Sequence, residues 1–99
     1  MKKMRHFVFM KFKPDEFTEE AFSEIRDTFS ALQKELPEEI LSCRVLKNCV
    51  DREWNMDLLI EMELKNAESL PKYLKHPLHT GLGKRMDEHI AERRSFDAE

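Results

Sequence analysis

The sequence has no apolar run long enough to cross a membrane, for which about 20 residues are needed. Its opening, MKKMRHFVFMKFKPD, starts like a signal peptide, yet the apolar part runs only from Phe7 to Met10 before a lysine interrupts it. That is shorter than the apolar region such a peptide requires. No charge of one sign prevails either, since 17 basic and 20 acidic side chains alternate to a net charge of −3. Without a basic stripe to follow a phosphate backbone, nucleic acid is not an expected partner, and neither is a membrane. Cysteine is scarce. The two that occur, Cys43 and Cys49, lie in LSCRVLKNCV, which reads as a strand. At about 3.3 Å per strand residue they stand roughly 20 Å apart, whereas a disulfide needs Cα atoms within about 7 Å. A reduced pair points to a cytoplasmic setting. Internal repeats, linkers and low-complexity tracts are missing as well.

What is present is a chain of 99 residues, 40 % of them apolar and spread throughout. This composition predicts a globular fold, and the length predicts one domain over residues 1–99, because two halves would each be too small to hold a core. A domain of this size buries only about 60 to 65 % of its unfolded surface, so a second subunit covering one face would add much. A homodimer is expected.

The pattern along the chain predicts six elements. RHFVFMKFK is a strand with His6, Val8, Met10 and Phe12 on one face and Phe7, Phe9 and Lys11 on the other, both largely buried. In FTEEAFSEIRDTFSALQKELP, Phe22, Ile25, Phe29, Leu32 and Leu36 line one side of a helix. Thr18 suits its N-cap, Phe17 can staple onto Phe22, and Pro37 ends it. ILSCRVLKNCV and NMDLLIEMEL follow as antiparallel strands joined through Asp51 to Asn55. Helix then starts near Ser69, which brings Pro71 into the first turn; Lys75 to Pro77 interrupts it, and a further helix runs from about Leu78 to Glu88. AERRSFDA closes the chain as a strand. The fold class is α+β, in the ferredoxin-like order β-α-β-β-α-β.

Chemistry concentrates in YLKHPLHTGLGKRMDEHI. His76 precedes a proline, which disfavours helical backbone, so it reads as an N-cap or a solvent residue. His79 falls in the first turn of the next helix, where the positive helix end would lower its pKa and leave a neutral imidazole able to take a proton. It is the candidate base; the alternative is a histidine that only bonds nearby backbone. His6 stands on an otherwise apolar strand face, where a polar ring needs a partner: a core neighbour, a substrate, or His79 across a pocket. Tyr73 either packs its ring with its hydroxyl exposed or donates a hydrogen bond to a ligand. A metal site fits less well, because the proline break separates His76 from His79 and no third ligand stands at suitable spacing. His89 is given no role. Gly81 and Gly83 each weaken a helix by about 1 kcal/mol, which is offset either by close helix-to-sheet approach or by room at a pocket mouth.

Three stretches, RHFVFMKFK, YLKHPLH and RRSFDAE, together with the order of elements, resemble the stress-responsive A/B barrel family over essentially the whole chain. The resemblance implies a homodimer in which two four-stranded sheets close into an α+β barrel with the helices outside. Most of that family has no assigned activity. One branch cyclises polyketide acids with histidine and tyrosine and needs no organic cofactor and no metal. Carried over by position, its pocket residues fall on His6, Tyr73 and His79. The sequence departs from that branch at Leu58, where the cyclases have a histidine, and at Phe29, where they have a tyrosine.

The expected function is therefore a small-molecule-binding protein or cofactor-free enzyme, cyclase-like or lyase-like. His79 would take a proton beside a carbonyl, Tyr73 and His6 would hold the enolate oxygen, and the ligand would be an apolar carbonyl or aromatic compound. The alternatives are a non-catalytic dimeric module, which Leu58 and Phe29 favour, and haem or oxygen chemistry like that of neighbouring dimeric α+β barrels.

Overall fold

The computed structural model describes residues 2–99. They form β1 (Met4–Phe12), α1 (Glu19–Glu35), β2 (Ile40–Lys47), β3 (Leu58–Leu64), α2 (Ser69–Leu74), α3 (Pro77–Met86), a 3-10 turn at Asp87–His89, and β4 (Ile90–Ala98). The strands make one antiparallel sheet in the order β2-β3-β1-β4. This is the ferredoxin-like arrangement, with the second helical region divided in two at Pro77.

β1 organises the sheet because it pairs on both sides, and its period of two separates the faces. Met4, His6, Val8, Met10 and Phe12 turn inward, as do Leu58, Ile60, Met62 and Leu64 of β3. Onto this surface pack Ile25, Phe29 and Leu32 of α1, Tyr73 of α2, and Leu82 and Met86 of α3. The Thr18 side chain accepts a bond from the Ala21 amide at 3.1 Å, and Phe17 meets Phe22 edge-on with ring centres 6.2 Å apart. α1 is thus capped and stapled as its sequence predicts, and it closes at Leu36, just before Pro37.

The connection between β2 and β3 is longer than the alternation suggests. β2 stops at Lys47 and β3 starts at Leu58. The side-chain amides of Asn48 and Asn55 both donate to the Val50 carbonyl, at 2.7 and 3.2 Å, and the Asp57 carboxylate accepts from the Phe12 amide at 2.8 Å. Such side chains offer the backbone a partner other than a strand ladder. Cys49 therefore lies outside the strand, and the separation expected of an unbroken strand does not apply to it. Both thiols are free; Cys49 is exposed, and burial pushes Cys43 up to about 11.

Among the described residues, the opposite face of the sheet carries no helix. Phe7, Phe9, Leu46, Leu59 and Phe96 lie there, with Leu46 still 42 % and Phe96 61 % exposed and the rings of Phe7 and Phe96 6.2 Å apart. In the single chain this face is only half covered, short of the burial on both sides that its sequence suggests. Among the described residues, no helix is long and apolar enough to cross a membrane.

The two glycines of α3 are not there for close packing. A Cβ added at Gly83 meets nothing within 4 Å, and one at Gly81 meets only the end of the Arg85 side chain, at 3.3 Å. Gly83 instead borders a cavity. Gly83→Ala should stabilise the protein by about 1 kcal/mol in denaturant unfolding, since it gains helix propensity without a clash. A loss of stability would mean that the Gly83 backbone is strained.

Candidate functional site

Between α3 and the β1-β4 half of the sheet lies a cavity of about 620 Å³. Register brings its polar residues together. His6 stands opposite Met62 on one side and Asp97 on the other, and Met62 stands opposite Cys43, so Cys43, Met62, His6 and Asp97 form one row across the helix-facing side. His6 is 4 % exposed, and its Nδ1–H donates to the Asp97 carboxylate at 2.5 Å. Its Nε2 is buried with no hydrogen-bond partner among the described residues. A buried polar atom without a partner costs stability, and one that lines a cavity invites a ligand atom.

Tyr73 is placed by its helix. α2 is tied to the start of β2 where the Ser69 hydroxyl donates to Glu39 at 2.7 Å and Lys72 donates to the same carboxylate at 3.2 Å. These bonds, that from Ser69 first, hold the Glu39 carboxyl below its ordinary value. One turn on, the Tyr73 side chain enters the core, where it is 1 % exposed. That corrects the exposed-hydroxyl reading of Tyr73. Burial holds its phenol well above the usual range. It is a proton donor throughout the neutral range.

His76 caps α3: its Nδ1 accepts from the Leu78 amide at 3.1 Å, in extended backbone before Pro77. That bond occupies one of its two ring nitrogens, and among the described residues no three His, Cys, Asp or Glu side chains converge on a metal position. His79, in the first turn of α3, donates through Nδ1–H to the Leu74 carbonyl at 3.0 Å. The tautomer is set by that acceptor, which leaves the Nε2 lone pair unspent. The pKa of His79 is lowered, chiefly by burial, and the Leu74 bond opposes the shift. The direction agrees with the sequence, and the largest cause is desolvation.

The rings form a chain. His6 and Tyr73 meet edge-on at 5.6 Å between centres, and Tyr73 and His79 at 4.7 Å. Phe29 walls the group at 6.0 Å from Tyr73 and 6.4 Å from His79. His6 and His79 do not pair directly, because Asp97 takes His6 and Tyr73 stands between. Asp97 is the partner that sequence reasoning missed. It sits 91 residues from His6, and only its odd position opposite an inward strand could have marked it. Leu58, buried on the inward side opposite Met10, is not among the residues that line the cavity. His89 bonds Glu16 at 2.7 Å, away from these rings.

Because burial lowers the His79 pKa, the folded protein resists a proton that the unfolded chain accepts below the ordinary 6.5. The contribution of His79 to stability is therefore complete above pH 6.5 and is lost as pH falls through the folded value. An NMR titration of the ring should give a midpoint below 6.5. A midpoint at or above that value would show that the Leu74 bond outweighs burial.

The family described as Stress responsive A/B Barrel Domain matches residues 4–99. No curated protein matches the sequence. Among solved structures, a dimeric protein of unknown function with a ferredoxin-like fold from Bacteroides fragilis is 22 % identical, with a TM-score of 0.82 over 98 % of this chain and 95 % of its own. A dimeric ferredoxin-like protein of unknown function from Thermobifida fusca is 17 % identical, with a TM-score of 0.80 over 97 % and 89 %. A hydroxynitrile lyase from Passiflora edulis is 15 % identical, with a TM-score of 0.78 over 98 % and 92 %. At such identities the likeness is one of fold, whereas the family match spans nearly every residue: the chain belongs to the stress responsive A/B barrel domain family.

Proposed function

We propose that the protein is a homodimeric, small-molecule-binding enzyme that transfers a proton on an apolar carbonyl compound without an organic cofactor. One observation carries the reading: three polar rings share a cavity whose deep walls are apolar while keeping two ring nitrogens and one hydroxyl free of protein partners among the described residues. His79 is the base, because its Nε2 lone pair is unspent and burial keeps the ring neutral. Tyr73 donates to the carbonyl oxygen as enolate character develops, and its raised pKa keeps the proton on the phenol until then. His6 presents Nε2 to the same region, and its bond to Asp97 fixes the ring there. The apolar wall of Phe29, Ile25 and Ile60 selects an aromatic or alkyl body. A hydroxynitrile lyase of the same fold supports an enzymatic reading of the cavity.

Exchange of the α-protons of acetophenone-type ketones in D2O, followed by NMR, tests this assignment directly. His79→Ala should slow protein-catalysed exchange by about 100-fold or more. Tyr73→Phe, which keeps the ring in the core, should slow it with little loss of stability, and Asp97→Asn should weaken it through His6. Exchange at the parental rate in His79→Ala would remove that residue from the reaction.

The homodimer rests on the uncovered sheet face and on two relatives that are themselves dimeric. Its apolar residues are too contiguous to stand in water singly. Phe96→Glu should shift the mass in sedimentation from dimer toward monomer and leave the cavity rings in place. A parent that sediments as a monomer at micromolar concentration would overturn the assembly.

A further inference from the structure

We propose that Lys84 and Arg93, at the mouth of the cleft, bind a carboxylate, so that the ligand of the pocket is an aromatic or alkyl carbonyl compound ending in an acid group. This deepens the reading above and depends on it.

Register places Arg93. It stands opposite Met10, an inward residue, so it projects over the cleft and not over the open face. β4 is an edge strand, and Arg93 and Ser95 remain exposed although they lie on the helix side. They form one rim of the cavity, and Lys84 of α3 forms the facing rim. Arg94 also borders the cavity, but it stands opposite Phe9, belongs to the outer face, and pairs with Glu92 at 2.9 Å.

The charges around the mouth do not balance internally. Two acids line the cavity, and each is engaged: Asp87 by one terminal nitrogen of Arg93 at 3.0 Å, Asp97 by His6. Lys84 has no acidic partner among the described residues. Arg93 has five N–H donors in a planar fork and gives one nitrogen to Asp87, so most of its donors are free. An ammonium and a half-used guanidinium on facing rims suit a planar anion, and carboxylate is the anion that matches the fork. The deep walls offer such a group nothing, being Ile25, Phe29, Ile60 and Leu82 apart from the three rings. A ligand that satisfies both zones has its carbonyl inside and its acid at the rim. The Arg93 charge also lowers the pKa of both His79 and Tyr73, secondary to burial in each. The cation that anchors the acid thus favours negative charge where the enolate oxygen would form.

The test uses a matched pair, 3-benzoylpropionate and its primary amide, titrated calorimetrically into the full-length protein, with NMR of the His79 ring to locate binding. The parent should bind the acid about tenfold more tightly than the amide, as expected for a charge-assisted hydrogen bond. Arg93→Gln and Lys84→Ala, on opposite rims, should each shrink that preference. Asp87→Asn, which releases Arg93, should widen it. Equal binding of acid and amide by the parent, or a preference that survives both rim variants, would overturn the carboxylate site and leave the pocket standing. If neither compound binds, the pocket reading falls and the carboxylate site with it.

Discussion

The site depends on the register of β1. This strand is hydrogen-bonded on both sides, to β3 and to β4, and its alternating side chains decide what enters the cavity. A slip of one residue would exchange the faces, sending His6 to the outer surface and Phe7 or Arg5 into the core. The apolar residues that resist the slip are Met4, Val8, Met10 and Phe12, which gain about 25 cal/mol for each Å² of apolar surface they bury. His6 is the one polar member of that inward set, and it is tolerated because the pairing that buries it also delivers Asp97 to its Nδ1. Register, core and polar pair are thus a single arrangement.

Burial then sets the chemistry of the neighbouring groups in opposite senses. Loss of water disfavours whichever form is charged, so it raises the Tyr73 phenol and lowers the His79 imidazole. The two rings are 4.7 Å apart, yet one is held as a donor and the other as an acceptor. Phe29 contributes by what it lacks: an apolar ring beside Tyr73 and His79 strengthens the desolvation that separates them. A tyrosine there would bring a competing hydroxyl.

Local rules made much of this legible. The inward set of β1, the cap and staple of α1, the start of α2 near Ser69 and the capping role of His76 all follow from side chains within a few residues of one another. So does the approach of Tyr73 and His79, which one helix break brings onto adjacent turns. The remainder depends on distant pairing. Asp97 reaches His6 only through the β1-β4 register, and a lone aspartate near a chain end carries no local mark. The boundaries of β2 and β3 moved because Asn48 and Asn55 bond within the loop, a competition that hydrophobic alternation does not register. The lowered pKa of His79 was legible in direction, but its cause lies in how much of the core closes over it.

One consequence concerns β4, which serves the cleft and guards the sheet at once. Its backbone edge is unpaired within the chain, and a nine-residue exposed edge is a template for unwanted pairing. The sequence IAERRSFDA places Glu92, Arg93 and Arg94 in its middle, and charged side chains are a common way to keep such edges apart. Arg93 and Arg94 border the cavity, so those charges also stand where a ligand would enter. Two demands therefore converge on the same side chains. The inward one, Arg93, combines them: it faces the cavity, holds Asp87, and keeps charge on the edge. Covering β4 with a longer α3 would remove the edge hazard, but it would also seal the entrance, so an exposed, charged last strand is what an open cavity on this sheet requires.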